Sequence, residues 1–461
     1  MKKNSLLIAG TRSGCGKTLV TISLMKAFSL EGKKVSAFKC GPDFIDPMFH
    51  KKILGLPSKN LDLFFTGREE TKKIFLENND SDLSIIEGVM ALYDGNEIQS
   101  DKNSSYDLAR SLGCPVILVV DTKGMSRSII AEISGFISLD SDSLIRGIIL
   151  NNLPPRLFRE LKNQIEKKFN VQVLGYFPYK KNLKIESRHL GLKLPDEIAD
   201  LKKNVLLAAE EISKTVNLSE LYKISQSSNE IEIPLENKNP LVLNKSKVRI
   251  ALARDEAFCF YYEENLEILK KFGAELVEFS PLKSNSLPQN ISGIILGGGY
   301  PELFAKELER NKKIRKEIKS SIEKGLPSLA ECGGFMYLHK NLVNQSGKSC
   351  KMLGVLPGNA EYKGSLVRFG YVNVREKKSN FLADKKIIKG HEFHYFDSTN
   401  NGNSCIETNS SGKEWEAVFE TKNSFWGFVH LYYPSCPEFA ENFVEKCRDY
   451  EMQKKLLAHK I

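Results

Sequence analysis

SLLIAGTRSGCGKT, residues 5–18, runs an apolar strand into a glycine-bearing loop and then into the start of a helix. Leu6, Leu7, Ile8 and Ala9 give the strand; Leu19, Val20, Ile22, Leu24 and Met25 begin the helical pattern. Glycines let backbone N–H groups approach an anion, and a helix N-terminus adds partial positive charge. Lys17 is placed to reach β/γ-phosphates and the Thr18 hydroxyl to ligate Mg²⁺. Thr11, Arg12, Ser13, Gly14, Cys15, Gly16, Lys17 and Thr18 are therefore expected to bind ATP. The usual spacing asks for a glycine five places before Gly16; Thr11 stands there, and Gly10 falls one place early.

Outward from this loop, further apolar runs end in polar residues. A strand over 34–40 leads to Gly41-Pro42-Asp43-Phe44-Ile45-Asp46-Pro47, which gathers Lys39, Asp43 and Asp46 at one strand end, where α/β sheets bind ligands. A strand over 83–86 ends at Glu87, the expected second Mg²⁺ ligand, with Asp94 close behind. Strands over 115–120, 145–150 and 171–177 follow, the second ending at Asn151, an amide at a strand tip suited equally to reading an adenine ring or to making a turn. Helical patterns over 126–137 and 155–168 lie between them. Strands apolar on both faces and alternating with helices predict a parallel sheet covered on both sides. A helix over 195–218 closes the domain, and polar residues 225–244 read as a linker.

The second half repeats the pattern: strands over 248–253 and 274–279 with a helix over 258–272 between, then a strand over 291–296 running into Gly297-Gly298-Gly299. Bare backbone N–H groups after a strand suit an oxyanion hole. In LPSLAECGG, residues 326–334, Cys332 sits on a strand-to-helix turn flanked by glycines, a nucleophile elbow carrying a thiol. A helix N-terminus there lowers the thiol pKa. His430 ends an apolar strand over 426–430 and would meet Cys332 in space, not in sequence. An acid is expected two residues after such a histidine, but Tyr432 stands there. Either the pair works as a dyad or another group orients the imidazole. GHEFHY, residues 390–395, lacks the zinc-protease spacing.

Composition sets bounds. The 461 residues allow two or three domains, and the net charge of +10 reads mainly as solvated lysine. No basic block with interleaved aromatics points to nucleic acid. Nine cysteines without C-x-x-C pairing read as reduced thiols in a cytoplasmic protein. The apolar run behind Lys2 and Lys3 is too short for a signal peptide, and no run approaches a membrane span.

GTRSGCGKT, FKCGPDFIDP, NLD at 60–62, EGVMALYDG, ESRHLGL at 186–192, ARDEAFCFYY, FSPL, LGGGYPEL, AECGGFMYL and GHEFHYF occur in collinear order across both halves. In these the chain resembles the cobyrinate a,c-diamide synthases. The resemblance implies two doubly wound parallel-sheet α/β domains: an N-terminal P-loop NTPase similar to dethiobiotin synthetase over 1–224, a linker over 225–246, and a C-terminal flavodoxin-like class I glutamine amidotransferase over 247–461. It implies ATP- and glutamine-dependent amidation, through acyl phosphates, of the a and c acetates of cobyrinate, a step of cobalamin biosynthesis. Mg²⁺ would be held by Thr18, Asp43, Asp46 and Glu87, with Asn151 on the nucleotide. Lys39, Asp94, Arg188 and His189 would contact the tetrapyrrole polycarboxylate. Cys332 would attack L-glutamine, His430 would activate water, and N–H groups near Gly298 and Gly333 would hold the oxyanion. A homodimer is compatible with this; nucleic acid and membrane are not expected partners.

Related enzymes amidate hydrogenobyrinate or nickel sirohydrochlorin, and the motifs do not separate these macrocycles. From another class, Arg12 stands where partition-type ATPases carry an extra lysine, which would suit an ATPase switch bearing a degenerate glutaminase. The paired Cys332 and His430 speak against that.

Overall fold

Apolar on both faces, Ser5–Gly10 has to lie at the centre of a sheet, and it does. The computed structural model describes residues 2–55, 57–180, 183, 187–188, 191–232 and 246–458, with the backbone alone for 187–188, 191–192 and 457–458. In the first of two compact units, Met1–Glu236, the strands are β1 (Ser5–Gly10), β2 (Val35–Cys40), β3 (Lys59–Leu61), β4 (Leu83–Glu87), β5 (Val116–Asp121), β6 (Ile145–Asn151) and β7 (Gln172–Phe177). They form one parallel sheet in the order β3-β2-β4-β1-β5-β6-β7. Strand alternation sends Leu6 and Ile8 to one face, against Val20 and Leu24 of helix Lys17–Leu30 and Ala208 and Ile212 of helix Leu201–Thr215. Leu7 and Ala9 go to the other, against Leu108 of helix Ser105–Leu112 and Ile129 of helix Ser128–Ser138. All strands being parallel, their C-terminal ends share one edge, and Gly10, Cys40, Glu87, Asp121 and Asn151 meet there.

The helix expected over 195–218 is Leu201–Thr215, and Asn217 caps a second one, Leu218–Ser225, by accepting from the Glu220 N–H. The expected linker does not begin at 225. The Ser228 hydroxyl bonds Ser5, the Asn229 N–H donates to the Gly113 carbonyl, and Ile231 joins the core, so polar composition here reflects hydrogen bonding to the start of β1 and to the turn at Gly113. Residues 233–245 lie outside the described residues.

In the second unit, Asn237–Ile461, the central sheet holds β8 (Val248–Ala253), β9 (Ala274–Phe279), β10 (Gly293–Leu296), β11 (Ser328–Glu331), β12 (Phe419–Thr421) and β13 (Ser424–Gly427). Their order is β9-β8-β10-β11-β13-β12, parallel except for the edge strand β12. The helix expected over 258–272 is shortened to Glu263–Lys271, because the N–H groups of Cys259 and Phe260 donate to the Gly298 carbonyl instead. Two more sheets lie between β11 and the C-terminal helix and were not foreseen. One has five antiparallel strands, Glu414–Ala417, Cys405–Asn409, Arg368–Glu376, Ile388–His394 and His430–Leu431; the other has four. Among the described residues no helix is long and apolar enough to cross a membrane.

Candidate functional site

At the first sheet's C-terminal edge the loop after β1 turns into helix Lys17–Leu30 through Gly16 in a left-handed conformation, φ 93°. A side chain at 16 would also stand 2.1 Å from the Asn151 amide nitrogen, so glycine is required twice over. That amide donates to the Cys15 carbonyl at 2.8 Å, so Asn151 braces the loop from β6. Lys17 is buried and its Nζ donates to the Met90 carbonyl. Burial pulls its pKa below the usual lysine value, and the charge of Lys39 acts in the same direction. Arg12 is half exposed and turned sideways onto Asp121, 2.7 Å away, rather than over the loop.

Beside the loop lies a buried charged cluster. The Thr18 hydroxyl is 2.6 Å from Glu87 Oε1 and 3.3 Å from Asp46 Oδ1. Lys39 Nζ bonds Asp46 Oδ2, donates to the Gly88 carbonyl at 2.9 Å and lies 3.6 Å from Glu87. One ammonium thus serves two carboxylates. Burial alone would lower the Lys39 pKa, but Asp46 and Glu87 together raise it above the usual range. For Glu87, burial would favour the neutral acid, yet Lys39 and the His50 hydrogen bond hold it below the usual carboxylate range. Asp46 goes the other way, raised first by burial and then by the charge on Glu87. Asp43 Oδ1 accepts from the N–H groups of Ile45 (2.7 Å) and Asp46 (3.4 Å), starting helix Ile45–Leu54 and aiming Asp46 at the cluster.

His50 escaped the sequence reading. Its Nε2 lies 2.8 Å from Glu87 Oε2 and its Nδ1 2.9 Å from the Ser58 hydroxyl. The available signal was spacing: His50 lies four positions after Asp46, one helical turn on the same face. Asn60 was quoted only as part of a motif; its amide ties the Gly41 and Asp43 carbonyls together at 2.8 Å each. Asp94 is exposed and accepts from the Ala91 N–H within its own turn. Lys39, expected at the substrate, is 2% exposed and committed to the two carboxylates. Arg188 lies on a two-residue strand paired with Gly191–Leu192 and its side chain is not described; His189 lies outside the described residues.

In the second unit Cys332 follows β11 at φ 45° and ψ −101°, a conformation that residues with a Cβ rarely adopt, and opens helix Gly333–Leu338. The Cys332 N–H donates to the Gly427 carbonyl at 2.9 Å, which ties the turn to the end of β13. His430 does not end that strand. β13 stops at Gly427, and His430 crosses into the five-stranded sheet opposite His391. The two residues nevertheless share a neighbourhood through the glycine run. A Cβ at Gly333 would lie 3.0 Å from the Gly299 N, and one at Gly298 would lie 2.3 Å from His430 Cε1. The run therefore spans from the imidazole to the first turn of the helix, where N–H groups have no partner inside the helix.

The electrostatics differ from the expectation of an acidified thiol. Burial pushes the Cys332 pKa up, the charge of Glu302 adds to this, and the Gly333 N–H opposes it. With one and a half turns of helix behind it, the dipole is too short to overcome desolvation. Burial likewise pulls His430 down to about 3, helped by His391 and His394. Both groups are therefore neutral near pH 7. The triad position, Tyr432, is a buried tyrosine.

Residues 6–192 match the family model described as the CobQ/CobB/MinD/ParA nucleotide binding domain, and residues 249–433 match that of the CobB/CobQ-like glutamine amidotransferase domain. A protein of Caldanaerobacter subterraneus named cobyrinate a,c-diamide synthase is 40% identical over 452 residues, covering 96% of this chain and 98% of that one. Proteins of the same name from Picrophilus torridus (41% identical over 452 residues, 97% and 99% covered) and Clostridium tetani (39% over 450 residues, 96% and 100%) are similar along their whole length.

Proposed function

This chain belongs to the cobyrinate a,c-diamide synthase family, and from that premise we propose that it amidates the a and c acetate carboxylates of cobyrinate in turn, using ATP and glutamine. The observation that carries this reading is the second unit's strained turn. A buried sulfur at φ 45° stands where β11 meets a helix, with His430 and the glycine run around it. A core cysteine would gain nothing from that backbone conformation, whereas a nucleophile is presented by it. The nine cysteines, all free, suit the reducing cytoplasm.

In the first unit the γ-phosphoryl group of ATP passes to a carboxylate of the macrocycle, giving an acyl phosphate. Lys17 leaves the Met90 carbonyl for the phosphate oxygens, the loop N–H groups hold the phosphates, and Asn151 keeps the loop in shape. Thr18, Asp43, Asp46 and Glu87 would hold Mg²⁺. The fit rests on the donors: a hydroxyl with two carboxylates each within 3.3 Å of it, all hard oxygen ligands. Among the described residues no three His, Cys, Asp or Glu side chains form a ready-made cage; Mg²⁺ typically needs only one or two carboxylates and takes the rest from phosphates and water. When bound, the ion neutralises charge on the transferring group. Lys39 and His50 act one layer out, fixing Asp46 and Glu87.

In the second unit Cys332 gives its proton to His430 and attacks the amide carbon of glutamine. Backbone N–H groups near Gly298 and Gly333 receive the oxyanion, ammonia leaves with the proton, and His430 then activates the water that releases glutamate. Ammonia reaches the acyl phosphate and displaces phosphate. The test is a product assay by mass, with purified protein, ATP, Mg²⁺, glutamine and, separately, cobyrinate, hydrogenobyrinate and nickel sirohydrochlorin. Cobyrinate should exchange two –OH groups for –NH₂ fastest; preference for another macrocycle would overturn the substrate, and no amidation of any would overturn the reading.

A further inference from the structure

The acid that a cysteine–histidine pair commonly uses is absent from position 432, yet a carboxylate does stand beside His430. It comes from Glu331, the residue immediately before the nucleophile. Glu331 ends β11 opposite Gly427 of β13, and its Oε2 lies 4.0 Å from His430 Nδ1 with both side chains largely buried, 13% and 4% exposed. The carboxyl is held from the far side: the Tyr433 hydroxyl donates to Oε1 at 3.0 Å, and the Leu431 N–H also bonds it. The first and third residues after the histidine thus grip an acid from another strand.

Resting on the reading that Cys332 and His430 split glutamine, we propose that Glu331 is a positioning residue that orients the His430 imidazole and balances its charge, in the role of the acid missing at 432. When sulfur attacks, its proton moves to the imidazole and the sulfur electron pair forms the C–S bond. The imidazolium is then countered by the carboxylate at Nδ1 until the proton passes to the departing ammonia as the C–N bond breaks. Placing acid and nucleophile on consecutive residues fixes their separation by covalent geometry, and the histidine is brought to both by a single strand crossing. Burial pushes the Glu331 carboxyl up to about 8, with the Tyr433 and Leu431 hydrogen bonds opposing. Below pH 8 most of it is protonated, so the form that serves the reaction is the fraction that has already lost its proton to solvent before sulfur attacks. The titratable groups facing this pair are His391 and His394 from strand Ile388–His394, together with Tyr261, Tyr433 and Cys332.

The test uses the full chain with ATP, Mg²⁺ and macrocycle, comparing Glu331→Gln, Glu331→Asp and Tyr433→Phe with the parent, on glutamine and on ammonium chloride. Glu331→Gln keeps the shape and the Tyr433 contact, so we expect kcat with glutamine to fall on the order of 10²-fold, with KM for glutamine and the ammonium-driven rate unchanged. Glu331→Asp should restore part of the loss. The parent's glutamine-driven rate should climb with pH as Glu331 ionises, and that limb should vanish in Glu331→Gln; a structural role would leave the profile in place. If Glu331→Gln fails to fold, Tyr433→Phe carries the test through a lowered kcat at constant KM. Parent-like kcat and pH profile in the folded variants would overturn the inference alone. A parent that forms no amide from glutamine would instead overturn the reading on which it rests.

Discussion

In Gly298→Ala the added methyl carbon would stand 2.3 Å from His430 Cε1, 3.0 Å from Nδ1 and 3.3 Å from the Phe260 Cβ. Gly298 is not among the glycines in the left-handed region, so the backbone accepts alanine and keeps its N–H where it is. The clash falls on side chains. Ordinary contact begins at 3.4 Å, so the imidazole must retreat by about 1 Å, a shift that at a reacting group costs on the order of 10²-fold in rate. The ring is 3% exposed and Phe260 packs beside it, centroids 6.5 Å apart, so its retreat displaces neighbours as well. Overpacking of this kind destabilises by about 1–3 kcal/mol. We expect glutamine-driven amidation to drop on the order of 10²-fold while ammonium-driven amidation holds and the thermal midpoint of the second unit falls modestly. The assay measures amide product by mass with the two nitrogen sources in parallel, alongside a calorimetric melt. Parent-like use of glutamine would refute the placing of His430 in the reaction.

Three further outcomes follow from the same geometry. Glu87→Gln removes the charge around which Thr18, His50 and Lys39 are arranged, so amidation from either nitrogen source should fall on the order of 10²-fold; a product assay at the parent rate would mean that another acid serves the phosphates. Gly16→Ala combines a left-handed backbone with a collision against Asn151, so ATP binding, read by calorimetric titration, should be lost, and normal affinity would argue against the loop as the nucleotide site. For Glu331, whose pKa is raised from 4.5 to about 8, the stabilising contribution is complete below pH 4.5 and is lost as pH rises towards 8. His430, lowered from 6.5 to about 3, contributes above pH 6.5 and loses it as pH falls. Glu331→Gln should therefore melt higher than the parent above pH 8 and alike below pH 4.5; equal melting curves at both ends would show that the carboxyl is not desolvated.

What could be read from the sequence was what lies close along the chain. The phosphate loop, the Asp43–Asp46 turn and the Cys332 elbow each announce themselves within a dozen residues, because glycine, acid and nucleophile are dictated by local backbone geometry. Strands apolar on both faces gave the parallel sheets and the shared edge on which Glu87 and Asn151 stand. What escaped depends on contacts between distant segments. Tyr433 meets Glu331 across 102 positions, and no local pattern marks either as its partner. His430 was expected at the end of an apolar strand, but the chain changes sheets at Gly427, and alternation within five residues cannot reveal that. The antiparallel sheets around Arg368–Glu376 are half exposed, so their mixed polarity resembled loops. The raised thiol pKa of Cys332 reflects burial, which the sequence does not display.

Two separate chemistries on one chain can be tested in a single vessel. Parent enzyme and Cys332→Ser are given ATP, Mg²⁺, cobyrinate, glutamine labelled with ¹⁵N in the amide, and unlabelled ammonium. The nitrogen in the product is read by mass. The parent should incorporate ¹⁵N, and Cys332→Ser should make the same diamide from unlabelled nitrogen alone, at the parent's ammonium-driven rate. Loss of product from both nitrogen sources in Cys332→Ser, or ¹⁵N still appearing in its product, would contradict the division of labour between the two units.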